Sequence, residues 1–473
     1  MRLEKKSFLK TSAYAVFSQL VSLVCGLATS LLLPKVMGVD QYGYWQYFFL
    51  YSSYVGILHF GFNDGVYLKL GGKRFTDINK SEIYPQLLLI SALQIVIGLA
   101  VGTYGYLFQD GPYKEIAYFL SLYIIVENIY KTLSFVLMST DGMQYYSKTV
   151  IIDKASFILF LFIFLVLLHQ YSFEYVITVY LLARVVALTC VFGHYGKICT
   201  SQVMPIVLTT KNLFAVWNNM ATGVSLTISN LLSTFIIGSG RFFVEYSWGI
   251  SVFAKISFAV SLSMFVLTFI SQIGLVLFPY LCRMDSEKQS RLLDVLTFTV
   301  GLFAFCCFIG FVPLNFIVKE WLPKYEESLG YLMLLCPIAL FETRMVLIYT
   351  TYFKTLKKQV VLLKINMISV VFAMVCYSLS ANVLGSINML VFSMLLSIML
   401  RSYLCQIYLY RKLNQKLDKL VISIEILASF MLVLSYNILG SITLFVLCYV
   451  ISLSLLIVTR KNKIAYCYSL FRK

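Results

Sequence analysis

The residues in this sequence with the most chemical consequence are charges set inside long apolar runs. Five cations fall there: Lys131, Arg184, Lys255, Arg344 and Arg401. On the acidic side stand Asp64, Glu127 and Glu425. A charge in an apolar span is costly and is kept where it faces a partner, a cavity or an ion path. The cations suit an anionic head group, and Arg in particular binds phosphate through a bidentate fork. The carboxylates suit a coupling proton or Na⁺.

Each residue carries a plainer reading beside that one. Glu127 and Lys131 are four apart on one helix and can neutralise each other. Lys255 lies near the outer end of its span, where it can snorkel to the interface as readily as line a cavity. Arg344 follows Glu342 at a spacing of two, which puts them on different helix faces. Arg184 and Arg401 have no acidic neighbour on their own helices, so a cavity is the expected setting for both. Asp64, in Gly61-Phe62-Asn63-Asp64-Gly65, reads equally as a helix-end turn residue. Glu425 can pair with a basic group of the nearby inner loop.

No motif points to catalysis. The sequence has no G-x-x-x-x-G-K-[ST] phosphate loop, no H-E-x-x-H and no G-x-S-x-G. His59, His169 and His194 share no ligand spacing, so no metal and no cofactor is expected. The cysteines show no CxxC and lie mostly in apolar runs (Cys25, Cys190, Cys306, Cys307, Cys336, Cys376), as buried thiols do. Asn79-Lys80-Ser81 matches a glycosylation acceptor but falls in an expected cytoplasmic loop and is set aside. Gly61-x-x-x-Gly65 and Gly98-x-x-x-Gly102 point to close helix packing.

The elements that must position these charges follow from composition. Of 473 residues, 60% are hydrophobic and only 12% charged, against about 25% charged in an ordinary soluble domain. The apolar residues come in runs of roughly 18 to 25, the length of a helix across a ~30 Å hydrocarbon core. Helices are required, because open sheet edges cannot stay unpaired in lipid. The expected architecture is an all-α polytopic membrane protein of about 14 transmembrane helices. The expected spans are 11–33, 45–66, 87–108, 116–138, 150–168, 175–195, 220–239, 250–277, 292–317, 328–351, 359–380, 386–409, 420–438 and 441–459. The basic start leads into a full first span without a cleavage pattern and reads as an internal helix.

The net charge of +17 could signal nucleic-acid binding, but its placement excludes that reading. With the N-terminus in the cytoplasm, inner segments carry 28 Lys and Arg and outer loops carry 5: Lys35, Lys114, Arg241, Lys319 and Lys324. This is the positive-inside bias, and it places both termini in the cytoplasm. A break from Gly196 to Asn219 separates six spans from the next six. The halves therefore share one orientation, a plan known in transporters. Val39-Asp40-Gln41-Tyr42-Gly43 and Val244-Glu245-Tyr246-Ser247-Trp248-Gly249 form a weak echo between them. The expected organisation is a first lobe over 1–200, a cytoplasmic linker over 201–219 and a second lobe over 220–410. Two further helices and a basic cytoplasmic tail occupy 411–473.

Three stretches resemble the polysaccharide flippases (Wzx-type oligosaccharide-lipid exporters) of the MOP superfamily, which also contains the MATE drug antiporters. They are Leu33-Pro34-Lys35-Val36-Met37-Gly38-Val39-Asp40-Gln41-Tyr42-Gly43, then Gly61-Phe62-Asn63-Asp64-Gly65 with Lys69-Leu70-Gly71-Gly72-Lys73, and Phe258-Ala259-Val260-Ser261-Leu262 with Leu277-Phe278-Pro279-Tyr280-Leu281. The resemblance implies two six-helix lobes around a cation-lined cavity that opens alternately to each side. It implies a bacterial inner-membrane protein that flips undecaprenyl-pyrophosphate-linked oligosaccharide to the outer leaflet for surface polysaccharide such as O-antigen or capsule, with a polysaccharide polymerase as a candidate partner. Basic residues line the lumen in that family, which matches Arg184 and Arg401 in kind. A cation-coupled drug antiporter is the main alternative, opposed by the basic excess in the spans. A membrane polymerase is a weaker one, opposed by the lack of a large outer loop.

Overall fold

The computed structural model describes residues 2–71, 73–140, 142–199, 209–282, 284–437 and 440–459. Among these residues every regular element is helical. The first part of the chain forms α1 (Arg2–Val36), α2 (Val39–Ser52), α3 (Phe62–Leu70), α4 (Lys80–Phe108), α5 (Gly111–Ser139), α6 (Met143–Phe162) and α7 (Phe173–Cys199). There follow α8 (Thr210–Cys282), α9 (Ser286–Cys306), α10 (Phe311–Trp321), α11 (Ser328–Leu335), α12 (Ile338–Arg344) and α13 (Thr350–Thr355). The chain closes with α14 (Gln359–Ser378), α15 (Ile387–Lys412), α16 (Lys419–Asn437) and α17 (Ile442–Thr459). Single π turns follow α6, α12 and α14 at Ile163–Leu167, Met345–Tyr349 and Leu379–Val383.

Eleven described helical stretches are long and apolar enough to cross a membrane, and α17 is a shorter apolar one. The expected crossing at 45–66 is not one helix. It breaks into α2, a 3₁₀ turn at Val55–His59 and α3, with Phe60 and Gly61 at positive φ of 51° and 86°. The reason is steric: a Cβ on Gly61 would overlap the backbone nitrogen of Val224, and one on Gly65 the carbonyl of Asn219. Glycine permits the left-handed turn and the close approach of α8 together. The expected crossings at 220–239 and 250–277 form one helical run, α8, redirected at Gly249 (φ 80°). Fourteen membrane helices result when α8 is divided at Gly249 and the broken α2–α3 segment and α17 are included. The protein is an all-α polytopic membrane protein.

Two compact units divide the chain, Met1–Leu231 and Leu232–Lys473. The first has a core where Phe62 and Val66 of α3 meet Leu87, Leu133, Leu137, Ala187 and Val191 from α4, α5 and α7. Here α4 and α5 form a tight hairpin: Gly98 lies against the Ser121 carbonyl, Gly102 against the Ser121 side chain, and Gly105 against Ala117. The close packing expected from Gly98-x-x-x-Gly102 is present. The second unit has a core of Leu293, Met345, Tyr349, Tyr352, Phe353, Cys405 and Leu409. Large apolar side chains such as Val24, Leu99, Phe162, Val371 and Leu447 are more than half exposed, as on helices that face lipid.

Residue 200, the first part of the expected linker (201–208) and the basic tail from residue 460 lie outside the described residues. Arg241, expected in an outer loop, is instead buried within α8, and its Nε donates to the Ser257 hydroxyl at 3.0 Å. The apolar run simply continues through it.

Candidate functional site

In the first unit, α5, α6 and α7 bring five charged side chains into one buried cluster. Arg184 of α7 lies 2.8 Å from Glu127 of α5 (Nε to Oε2) and 3.6 Å from Asp153 of α6 (Nη1 to Oδ2). Lys131 meets Glu127 at 3.2 Å, and Lys154 meets Asp153 at 3.2 Å. The helical spacing expected to join Glu127 and Lys131 therefore does so. Arg184 sits as expected within its span, but it is not without acids: they come from the neighbouring helices. Three cations face two carboxylates, so the cluster carries a net charge of +1.

Tyrosine rings wall the cluster. The Arg184 guanidinium lies over Tyr130 at 4.9 Å and over Tyr180 at 6.0 Å, and Lys154 lies over Tyr180 at 6.0 Å. Tyr180 stacks on Tyr123 with ring centroids 5.7 Å apart. A cation on an aromatic face is attracted by the ring quadrupole, more strongly where water is excluded. Glu127 and Asp153 are almost fully buried, whereas the Lys131 side chain keeps 35% of its exposure and Lys154 23%. The two lysine side chains are thus the least enclosed members of the cluster. The Lys131 Nζ also lies against Gly56 in the broken crossing, where a Cβ would stand 3.5 Å from it. Nearby, His59 is buried and its Nδ1 accepts from the Gly61 amide at 3.1 Å.

Asp153 and Lys154 were not singled out in the sequence. The signal was present: Thr149, Asp153, Phe157 and Leu161 recur every four residues and are the buried face of α6. Asp153 therefore sits on a core stripe.

The second unit treats its charges differently. Arg344 donates from both Nη atoms to Glu425, at 2.7 and 2.5 Å, and from Nε to the Thr297 carbonyl at 3.0 Å. Arg401 pairs with Glu342 and donates to the Ser233 carbonyl at 3.0 Å and hydroxyl at 2.6 Å. Both guanidinium groups are essentially inaccessible. The expectation of Arg401 as a cation without an acid is corrected, because Glu342 approaches it from α12. Glu342 and Arg344 do face different partners, as their spacing requires. Glu425 finds its cation in Arg344 rather than in the inner loop. The space beside the Arg344–Glu425 pair is only ≈20 Å³, about one water.

Lys255 pairs with the exposed Glu327 at 2.7 Å, a rim contact consistent with snorkelling. Asp64 lies in the first turn of α3 and accepts a hydrogen bond from the Thr227 hydroxyl of α8. The first unit also holds a cavity of ≈340 Å³ between α2, α4 and α5, with Tyr47, Tyr51, Tyr54, Tyr104 and Tyr113 among its walls. Among the described residues, no group of three or more His, Cys, Asp or Glu is placed to hold a metal ion.

No family model matches the chain, and no curated protein matches it. Solved structures do. A lipid II flippase, MurJ, in an inward closed conformation superposes with a TM-score of 0.64 at 11% identity, covering 94% of this chain and 98% of that one. An inward-facing MATE multidrug resistance transporter of the MOP superfamily gives 0.62 at 12% identity, over 84% and 94% of the two chains. A MATE transporter from Vibrio cholerae gives 0.58 at 14% identity, over 86% and 97%. At such identities the likeness is one of fold. The chain is a multi-pass α-helical membrane protein with the fold of the MOP superfamily transporters.

Proposed function

We propose that the protein is a flippase that moves a diphosphate-linked oligosaccharide lipid from the cytoplasmic to the outer leaflet of a bacterial inner membrane by alternating access. The observation that carries this reading is the cluster of Arg184, Lys131, Lys154, Glu127 and Asp153. It is buried, walled by tyrosine and one positive charge in excess, a setting suited to an anionic head group and unsuited to a cationic drug. Arg184 and the two lysines are assigned to the diphosphate. The tyrosine-walled cavity of the same unit offers ring faces to the C–H faces of a sugar. Arg344 and Arg401 are assigned to holding helices together, and Lys255 to the membrane rim.

The fold is shared with both a lipid flippase and multidrug transporters, so the fold does not separate these substrates. A deletion strain does. Loss of a flippase leaves complete lipid-linked repeat units on the cytoplasmic leaflet, read by leaflet-specific detection of the oligosaccharide. Repeat units reaching the outer face at normal levels, with resistance to cationic compounds reduced, would overturn the proposal in favour of drug export.

A further inference from the structure

Asp153 is held by two of the three cations assigned above to the anion. Its contacts are Lys154 at 3.2 Å and Arg184 at 3.6 Å, and it is only 3% exposed. Glu127 differs, since Lys131 stands one turn along the same helix at 3.2 Å and stays beside it even while facing an anion. If an anion draws Arg184 and Lys154 to itself, Asp153 is left as a buried carboxylate without a cation. Such a group takes a proton rather than stay charged.

Charge counting gives the same answer. Empty, the cluster is +1. A diphosphate diester carries two negative charges, so the loaded cluster would be −1. One proton makes it neutral, the favoured state in a water-poor interior.

Resting on the anion-binding role proposed above, we infer that Asp153 is a proton-binding site loaded together with the anion. The proton comes from bulk water, the carboxylate becomes a carboxylic acid, and no covalent bond of the ligand changes. The ionisable groups facing this site are Tyr123, Glu127, Tyr130 and Lys131 of α5, Tyr146 and Lys154 of α6, and Tyr180 and Arg184 of α7. Cys25 of α1 stands on the α6 side, its thiol 3.9 Å from the Lys154 carbonyl, and His59 lies in the broken crossing near Lys131. Of these, His59 has an ordinary titration range closest to neutrality, so it needs its own control.

The test is calorimetric binding of UDP-glucose, a soluble diphosphate diester whose phosphates stay ionised from about pH 6 to 8, to the purified full chain in lipid nanodiscs. Runs in two buffers of different ionisation heat count the protons taken up. The expected result is about one proton per ligand, and affinity rising about tenfold for each unit the pH falls. Asp153→Asn should still bind, with no proton taken up and no pH slope, whereas His59→Gln should keep both. Wild-type binding without proton uptake overturns the inference and leaves the anion site standing. It is also overturned if Asp153→Asn keeps the proton count. No binding by the wild type at any pH overturns the anion site itself, and this inference with it.

Discussion

Arg344 grips Glu425 with both arms of its guanidinium, across 81 residues of sequence, while its Nε reaches the Thr297 carbonyl at 3.0 Å. Three helical segments, α9, α12 and α16, are fastened at one point. Gly301 on α9 makes room for it, since any Cβ there would strike the guanidinium. Removing one partner leaves an uncompensated buried charge, which costs about 3–5 kcal/mol, whereas replacing both with apolar groups is often near neutral. Arg344→Met and Glu425→Leu should therefore each lower thermal stability in detergent sharply, and the double variant should recover most of the loss. Equal melting of all three variants would remove the fastening role.

The two arginines once expected to share a role should now separate. Arg184→Ala should abolish surface glycan with protein still present in the membrane, and Arg184→Lys should restore part of it. Arg401→Ala should instead lower the amount of folded protein, because Glu342 and Ser233 lose their partner. Membrane abundance and glycan level, measured side by side, check this. Full glycan with Arg184→Ala would take that residue out of the substrate path.

Close packing gives a third expectation. Gly65→Ala forces a methyl into the Asn219 carbonyl and should destabilise by about 1–3 kcal/mol. Gly26→Ala on α1 meets nothing within 4 Å and should be neutral or slightly stabilising. Melting curves of the two variants in one detergent compare them directly.

Orientation is tested by labelling. The expected excess of inner over outer cations, from which Arg241 drops out as a residue buried in α8, predicts Cys199, at the end of α7, in the cytoplasm and Asp110, at the start of α5, outside. Asp110→Cys should react with an impermeant thiol reagent in intact cells while Cys199 stays protected. The reverse pattern would invert the topology.

Much of the fold could be read from the chain because hydrocarbon thickness and backbone hydrogen bonding leave few alternatives to a helix in an apolar run. The breaks were harder. Gly61 redirects the backbone inside the span expected at 45–66, which reads as continuous although it is not. The turn at Gly249 falls at the boundary expected between 220–239 and 250–277 but takes one residue rather than a loop. The charged residues were legible as residues but not as pairs. Glu127 and Lys131 could be joined because they share a helix. Arg184 could not be joined to Asp153, nor Arg401 to Glu342, because those contacts are made only when separate helices pack. Asp153 itself went unmarked, set near the start of an apolar run and beside a lysine.

The π turn at Met345–Tyr349 bears on any future alignment of this chain. One wide turn holds one residue more than the α-helical ladder needs, so a helical wheel drawn straight through 338–355 misplaces every side chain after Arg344 by about 100°. Glu342 and Arg344 can then aim at their partners while Tyr349, Tyr352 and Phe353 fill the apolar core. A relative lacking the wide turn would show a one-residue gap at that point and keep both faces intact. Without the gap, the core tyrosines of one protein would be set against side chains that point about 100° away in the other.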